Sequence, residues 1–333
     1  MGAPSRTADT GEIREFVAAA GGRIDAVIAA AFADLSRARV QRLIAAGDVL
    51  LNGEPARKSA NVHTGDVVTA TLREHEHAPG SPNVAVPVLY EDRQLVVIDK
   101  PAGLATHGAP GDTGPSVAGW FLHRYPAESA GFDAERPGIV HRLDKGTSGV
   151  LVLAKTPAAH ANLGAAFERR ETEKLYLAVC DGVPAQPRAI VDAPIGRHPG
   201  DRTRMAIVKR GREARTEYEL LGDDGRQGVL LVRLHTGRTH QIRVHLAAVD
   251  IPIAGDATYG RDARGEGRQL LHAWRLTVPH PDGGSLTATA PIPADVAAAV
   301  RAMGLDQLAL KYSHAVPAAR TFESPTRTTD ESE

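Results

Sequence analysis

The spacing of apolar residues divides the chain into a small N-terminal unit and a larger strand-rich unit. Apolar residues recur at helical spacing over 24–31, which predicts a first amphipathic helix. A second helix is predicted to begin after Ser36, a good N-cap, and to end at Gly47. The segment VLLNGEP predicts a short strand and a turn at Asn52-Gly53, and VVTATL predicts a final strand of this unit.

The larger unit is predicted to contain more strands than helices. Strands are predicted for QLVVIDK, VLVLAK, LYLAVC, TEYELL and VLLVRL, and helices for 158–170 and 240–249. Because the strands do not alternate regularly with helices, the pattern favours an α+β fold over a doubly wound parallel sheet.

These patterns predict one domain over 12–73, a linker over 74–87 and a larger domain over 88–302. The linker, EHEHAPGSPNVAVP, has the proline-rich and polar composition of a connecting segment. Residues 311–333 are rich in serine, threonine, proline and charge, so we expect a disordered tail there.

Composition excludes several classes of protein. Hydrophobic residues make up 42% of the 333 residues, which is enough for a core and argues against wholesale disorder. The single cysteine, Cys180, excludes an internal disulfide and a cysteine-based zinc site, so we expect a small buried apolar side chain. The chain has no HExxH, CxxC or P-loop motif, so no metal is expected. Short apolar runs and an N-terminus unlike a signal peptide lead us to expect a cytoplasmic protein without a membrane partner.

The distribution of charge is more informative than its sum. The net charge is −1, from 39 basic and 40 acidic residues. Between Arg197 and Arg215, however, seven basic residues face only two acidic ones. A local basic stripe on a neutral chain favours a polyanionic partner.

The segment GIVHRLDKGTSGVLVLAK, at 138–155, concentrates polar chemistry directly before an apolar strand. His141, Arg142 and Asp144 lie in this loop. Neighbouring cations favour an ionised Asp144, which could serve as a nucleophile or a base. A solvated turn is the competing interpretation, since the loop is also rich in turn formers.

Two further segments carry candidate side chains. In LHTGRTHQIRVH, Arg238 and His240 lie near a predicted helix N-terminus, where backbone N–H groups favour anions. Arg243 on that helix could pair with a carboxylate or a phosphate, unless the helix is simply exposed. Tyr176 in EKLYLAV is either a core residue or a catalytic one.

Taken together, these segments resemble the motifs of the RluA-type pseudouridine synthases. The resemblance is carried by HRLDKGTSG, by EKLYLAV, and by TGRTHQIRVH continuing through Gly255-Asp256 and Tyr259-Gly260. The N-terminal segments GGRID, SRARVQRLI, VLLNG and GDVV resemble an S4 RNA-binding domain, as in the RluD-like branch. The resemblance covers about 12–293, and Gly146 departs from the aspartate that many members carry there.

The resemblance implies a mixed, mostly antiparallel catalytic sheet with a small N-terminal S4-like α/β domain. It also implies that specific uridines in structured RNA are isomerised to pseudouridine after base flipping, without a cofactor. Asp144 matches the essential carboxylate, Arg243 the arginine that pairs with it, and Tyr176 the tyrosine that stacks on the target base.

The resemblance also assigns RNA contacts. Arg142 matches the arginine that fills the vacated stack, and His141, Arg238 and His240 are expected beside it in RNA binding and base flipping. In the S4-like unit, the residues expected to contact RNA phosphates are Arg37, Arg39, Arg42 and Lys58.

The expected substrate is large-subunit (23S) rRNA, with the helix 69 loop as the first candidate and other rRNA sites or tRNA as alternatives. No obligate protein partner is evident. A non-catalytic S4-type RNA-binding or ribosome-assembly factor is the alternative function. A hydrolase built on Asp144 is a third, but glycosidases usually need a second carboxylate that this loop does not offer.

Overall fold

The computed structural model describes residues 12–32, 35, 37–72, 84–108, 114–129, 132, 136–201, 203–261, 267–314 and 316–321. The chain separates into two compact units, with the boundary between residues 79 and 80. The predicted N-cap Ser36 and most of the predicted linker lie outside the described residues.

The small unit is a four-stranded antiparallel sheet packed with two helices. Its elements are β1 (Glu12–Val17), β2 (Gly22–Arg23), α1 (Ile24–Ala31), α2 (Arg37–Ala46), β3 (Val49–Leu51), β4 (Glu54–Pro55), β5 (Asn61–Val62) and β6 (Val67–Leu72). The sheet order is β1-β6-β3-β4, and β2 pairs separately with β5. Both predicted helices and the predicted strands are present. The predicted turn places Asn52 and Gly53 at φ 51° and 85°, the left-handed region that this residue pair favours.

The large unit is built on a ten-stranded sheet. The twelve strands described in this unit, ten of which form the sheet, are β7 (Val88–Glu91), β8 (Leu95–Lys100), β9 (Ser148–Ala154), β10 (Glu173–Asp181), β11 (Arg188–Asp192), β12 (Ile195–Arg197), β13 (Met205–Ile207), β14 (Arg215–Asp223), β15 (Gln227–Leu234), β16 (Leu271–Pro279), β17 (Ser285–Thr289) and β18 (Ala319–Thr321). Its helices are α3 (Val117–Arg124), α4 (Pro126–Ser129), α5 (Pro157–Arg169), α6 (Gln241–Ala248), α7 (Ala294–Ala302) and α8 (Asp306–Ser313).

The main strand order is β11-β14-β15-β10-β16-β9-β8-β7. In addition, β17 pairs with β16, and β18 pairs with β17, whereas β12 and β13 form a separate pair. Neighbouring strands are antiparallel except β9 and β16, which run parallel. Where these two meet, a Cβ on Gly149 would lie 2.2 Å from the carbonyl oxygen of Ala273, so only glycine fits. The predicted α+β fold with a mixed, mostly antiparallel sheet is confirmed.

The strands at the centre of the sheet are buried along almost their whole length. All seven residues of β9 are buried, and so are seven of the nine in β10. Such strands hold the loops at their ends firmly, because both faces are covered by apolar side chains. The polar segment at 138–155 leads into β9, Tyr176 lies on β10, and α6 follows β15.

Two boundary predictions differ from the structure. Val86, placed in the linker, packs in the core of the large unit, because it is apolar and lies beside β8. The disordered tail predicted from residue 311 is wrong for the part that is described: Lys311 belongs to α8, and β18 pairs with β17. The apolar residues Ala309 and Tyr312 bury one face of α8, which composition alone did not indicate. Residues 322–333 lie outside the described part.

None of the helices described in the structure is long and apolar enough to cross a lipid bilayer.

Candidate active site

The loop that carries Asp144 is held by hydrogen bonds from several elements. Thr106 Oγ1 donates to the Leu143 carbonyl at 2.7 Å and accepts from its amide at 3.2 Å. The Arg268 guanidinium donates to the Gly146 carbonyl at 3.0 Å, and Gln269 donates to Thr147 Oγ1 at 3.2 Å. The backbone on both sides of Asp144 is therefore fixed, while its side chain keeps 17% of its surface exposed.

Lys100 supports the same loop through hydrogen bonds to backbone carbonyls. Its side chain is fully buried, and its Nζ donates to the carbonyls of Pro101, Leu104 and Lys145 at 2.9, 2.8 and 3.3 Å. Burial lowers the pKa of Lys100 to about 7, against the opposing effect of the Asp144 charge. The Lys100 amine therefore ties two loops together behind the Asp144 carboxylate.

Arg243 connects Asp144 to a second carboxylate. Its Nη1 donates to Asp144 Oδ2 at 3.1 Å, while Nε and Nη2 donate to the two oxygens of Asp256 at 2.7 and 2.8 Å. The Arg243 side chain is 8% exposed and that of Asp256 is fully buried. Burial acts to lower the pKa of Arg243, but the hydrogen bonds and charges of Asp256 and Asp144 raise it overall. The guanidinium is thus charged and fixed in orientation.

The Tyr259 ring lies against Arg243 on another side. The guanidinium carbon is 5.0 Å from the ring centroid, a cation–π distance. The Tyr259 hydroxyl accepts from the Met205 amide at 2.8 Å and lies 2.9 Å from His240 Nδ1. The donor in the contact between Tyr259 and His240 depends on the imidazole tautomer, since a hydroxyl can both donate and accept.

Tyr176 lies on β10 in the wall of the same cleft and is only 8% exposed. Burial raises the pKa of Tyr176, and the nearby charge of Asp144 raises it further. The hydroxyl is therefore a neutral phenol in the free protein.

Asp144, Arg243 and Tyr176 line a cleft of about 490 Å³. All seven side chains predicted for catalysis or base flipping line it, namely Asp144, Tyr176, Arg243, Arg142, His141, Arg238 and His240. A cavity of this size is typical of a site for a small ligand or a single nucleotide unit.

His141 and Arg142 occupy different environments in the cleft. The His141 ring stacks on Phe167 with centroids 4.5 Å apart, and its Nε2 accepts from the Val152 amide at 3.1 Å. Burial and the charge of Lys174 lower the pKa of His141 to about 3, so the ring is neutral. Arg142 is exposed and contacts His107 Nε2 at 3.4 Å.

The turn before α6 is built around a buried glutamine. Gln241 Oε1 accepts from Thr236 Oγ1 at 2.7 Å and from the Arg238 amide at 3.0 Å, and Arg238 Nε donates to the Glu213 carbonyl at 2.8 Å. His240 is the helix N-cap in a left-handed conformation, with φ 56°, and it makes no side-chain capping bond. Both predicted residues lie at the helix N-terminus, but α6 is buried on most sides rather than exposed.

Sequence reasoning did not assign roles to Asp256, Tyr259, Lys100 or Lys174. Gly255-Asp256 and Tyr259-Gly260 were recognised as part of a motif, but nothing local indicates that Asp256 binds Arg243. Asp256 is thirteen residues beyond Arg243 and meets it through a tight turn, in which the Thr258 and Tyr259 amides donate to Oδ1. Asp144 accepts from only one nitrogen of Arg243, and the need of the remaining buried N–H donors for an acceptor is the signal that could have found Asp256.

The S4-like candidates are only partly described. Arg37 begins α2 and pairs at 3.2 Å with Asp25, a fully buried carboxylate that also accepts from Arg23 and Gln41. Lys58 is exposed. The side chains of Arg39 and Arg42 lie outside the described part, although both positions fall within α2.

Among the described residues, no group of three or more histidine, cysteine or acidic side chains could hold a metal ion. Cys180 is buried, as predicted, and burial raises the pKa of its thiol.

Comparison with known proteins identifies both units. Residues 94–248 match the model for RNA pseudouridylate synthase, and residues 22–68 match the S4 domain. The ribosomal large subunit pseudouridine synthase D of Xanthomonas campestris is 41% identical over 295 residues, covering 84% of this chain and 88% of that protein. An uncharacterised RNA pseudouridine synthase of Aquifex aeolicus is 41% identical over 253 residues, covering 75% and 80%.

The fold of the large unit agrees with these matches. The structure of human RNA pseudouridylate synthase domain containing 1 superposes with a TM-score of 0.52 at 25% identity, covering 68% of this chain and 97% of that one. The predicted resemblance is thereby confirmed: the chain belongs to the RNA pseudouridylate synthase family and carries an N-terminal S4 domain.

Proposed function

We propose that this protein isomerises specific uridines of large-subunit rRNA to pseudouridine, with Asp144 as the essential carboxylate. The observation that carries the proposal is the Asp144 carboxylate, held by the buried Arg243 in a cleft that Tyr176 also lines. A carboxylate that is oriented yet still partly exposed is suited to react with a ligand entering the cleft.

The reaction needs no cofactor because it is redox-neutral. The N-glycosidic bond of uridine breaks, the uracil turns, and C5 of the base joins C1′ of the ribose while the C5 proton moves to nitrogen. Asp144 starts this sequence either as a nucleophile or as the trigger of glycal formation. Arg243 holds its carboxylate in one orientation, and Asp256 holds Arg243.

Tyr176 is assigned to the base. Its ring provides a flat apolar surface for stacking. Since its hydroxyl is a neutral phenol, it can take up the C5 proton only while it passes its own proton on. We therefore assign it a relay role, in which the nearby Asp144 carboxylate takes the phenol proton and then gives a proton to the nitrogen of the base.

The remaining cleft residues are assigned to the RNA. Arg142, exposed at the cleft, fills the space that the flipped base leaves in the stack. Arg238 and His240 contact the RNA near the turn before α6. His141, whose Nε2 is already occupied by a backbone amide, contributes through its stacked ring rather than as a base.

The preference for rRNA rests on relatives that are named as ribosomal large subunit pseudouridine synthase D, at 38–41% identity. The S4 domain supports it, because such a domain adds phosphate contacts that suit a large structured RNA. A tRNA substrate is the alternative, and the following experiment distinguishes rRNA from tRNA as the substrate.

The test is to map pseudouridines chemically after incubating the purified full chain with in vitro transcribed 23S rRNA and with a tRNA pool. We expect modification at one or a few rRNA uridines with the parent protein and none with Asp144→Asn, which keeps side-chain size and removes the charge. Modification of tRNA alone would refute the rRNA assignment. Undiminished multiple turnover by a clean Asp144→Asn preparation would refute the role of Asp144, and tight binding without any product would favour a non-catalytic RNA-binding factor.

A further inference from the structure

Lys174 is a buried cation to which the proposed reaction gives no role. It lies two positions before Tyr176 on β10, lines the same cleft and is only 8% exposed. In the described part of the chain its Nζ makes no hydrogen bond or ion pair, and its one aromatic neighbour is the Phe167 ring, with the centroid 5.9 Å away. Burying an ammonium group without a partner is unfavourable, so this position points to a ligand that supplies one.

Other cations share this wall of the cleft. The charge of Arg170 contributes, after burial, to lowering the pKa of Lys174 to about 8. Burial lowers the pKa of Arg238, and the charges of Arg212 and Arg170 lower it further. Arg170, Arg212 and Arg238 all line the cleft together with Lys174.

Carboxylates do not balance this positive charge. Arg170 is paired with Glu213 through two hydrogen bonds of 2.9 and 2.6 Å. Among the described residues that line the cleft, two are acidic, Asp144 and Glu168, whereas six are lysine or arginine. Arg212 is exposed, and within the described chain its guanidinium makes no hydrogen bond. Within the described chain the charges of Lys174 and Arg212 are therefore available to an anion, while Arg238 donates through Nε to the Glu213 carbonyl and keeps its two terminal nitrogens for such a ligand.

We propose that Lys174, Arg212 and Arg238 form a subsite for a phosphodiester group of the RNA, next to the uridine that occupies the cleft. The proposal rests on the proposed function, in which a uridine enters this cleft. Alternate residues of a strand lie on one face about 6.6 Å apart, so a base stacked on Tyr176 has its own backbone within reach of Lys174. A nucleotide that is flipped out turns about its phosphates, and holding one of them fixes the turned position.

The test combines protein variants with single phosphate changes in the RNA. The substrate is a synthetic hairpin around a uridine that the parent protein modifies, with one phosphate at a time replaced by an uncharged methylphosphonate. The variants are Lys174→Met, which removes the charge at similar length, Lys174→Arg, which keeps it, and Arg212→Gln. Lys311→Met, an exposed position on α8 that does not line the cleft, is the matched control.

We expect Lys174→Met to weaken binding of the unmodified hairpin about tenfold, the loss typical of one charged hydrogen bond, and to lower the salt dependence by about one ion. At one phosphate beside the target uridine, the methylphosphonate should cause a similar loss with the parent and little further loss with Lys174→Met. Lys174→Arg should stay near the parental affinity, and Lys311→Met should change nothing.

Additive losses at every phosphate, or a Lys174→Met protein that binds like the parent, would overturn the subsite. Arg212→Gln keeps the test decisive if Lys174→Met does not fold, because Arg212 is exposed and its loss should couple to the same phosphate. Affinity and product formation are measured separately. Product formation without phosphate coupling refutes the subsite alone, whereas the isomerase proposal would already fail in the rRNA and tRNA mapping from which the hairpin is chosen.

Discussion

Replacing Asp256 by asparagine removes one charge from a buried network without changing the size of the side chain. Asp256 accepts two hydrogen bonds from Arg243 at 2.7 and 2.8 Å, and the Arg243 side chain is only 8% exposed. Breaking a buried pair of this kind costs about 3–5 kcal/mol, because the remaining charge stays buried without compensation. Asp144 still neutralises part of Arg243, so we expect a loss of about 3 kcal/mol, near the lower end of that range.

Denaturant unfolding followed by tryptophan fluorescence measures this loss of stability in the large unit, which contains Asp256. The chain has two tryptophans, Trp120 and Trp274, and both belong to the large unit. Asp250→Asn is the matched control, since Asp250 pairs with Arg261 but is 94% exposed, and asparagine tolerates its left-handed φ of 63°. The control should change stability by less than about 1 kcal/mol.

The same variant should impair catalysis more than binding. Without Asp256, Arg243 is free to turn toward Asp144, and the carboxylate loses its fixed orientation. We expect kcat to fall at least tenfold, about 1.4 kcal/mol of transition-state stabilisation, with KM changed by less than threefold. A protein that loses less than about 1 kcal/mol of stability and keeps the parental kcat would show that Asp144 alone suffices to hold Arg243, and would refute this reasoning.

Three further predictions concern acid stability, the tyrosine and the two units. Burial acts to raise the pKa of Asp256, but hydrogen bonds from Arg243 lower it overall. The Asp256 carboxylate therefore stabilises the fold fully above its unfolded-state pKa of about 3.9, and this stabilisation is lost as the pH falls through its lower pKa in the folded protein. The stability gap between the parent and Asp256→Asn should therefore close below about pH 4 in thermal melts, and a gap that is constant with pH would contradict the assigned charge. Tyr176→Phe should keep stability and RNA affinity but slow single-turnover product formation by about 10²-fold or more, since only the hydroxyl moves a proton, and a parental rate would reduce Tyr176 to a stacking residue. Deleting residues 1–79 should leave a folded domain by circular dichroism whose kcat/KM on rRNA falls by about 10²–10⁴, whereas unchanged affinity and salt dependence would remove the RNA-binding role of the S4 domain.

Residue spacing and turn chemistry were sufficient to predict the elements of the fold that depend on neighbouring residues. The long apolar strands, both helices of the small unit and the Asn52-Gly53 turn follow from spacing and turn chemistry, and the structure contains them. The helix predicted for 240–249 is present as Gln241–Ala248, but its polar residues do not face solvent. His245 is fully buried and bonded to Thr216 and Ala193, contacts that no helical periodicity can indicate.

The contacts between side chains of the site could not be predicted from the sequence, because they join segments that are far apart in the chain. The motif residues were found because their order along the chain matched a family, but the links between them are tertiary. Lys100 looked like the end of a strand, and only its three carbonyl acceptors identify it as a support of the Asp144 loop. Lys174 belongs to the recognised segment EKLYLAV, but only the cleft shows that it is buried and, within the described chain, without a hydrogen-bond partner.

The single parallel pair in the sheet has a consequence for how the protein acquires activity during synthesis. Ser148 on β9 is paired with His272 on β16, and the two are separated by 124 positions. Asp144 and Arg243 are likewise separated by 99 positions. A ribosome must therefore release almost the whole catalytic domain before β16 can insert between β9 and β10 and the two motifs can meet. The nascent chain is thus inactive until late in translation, and closing such long loops makes completion of the cleft a slow, late step of folding.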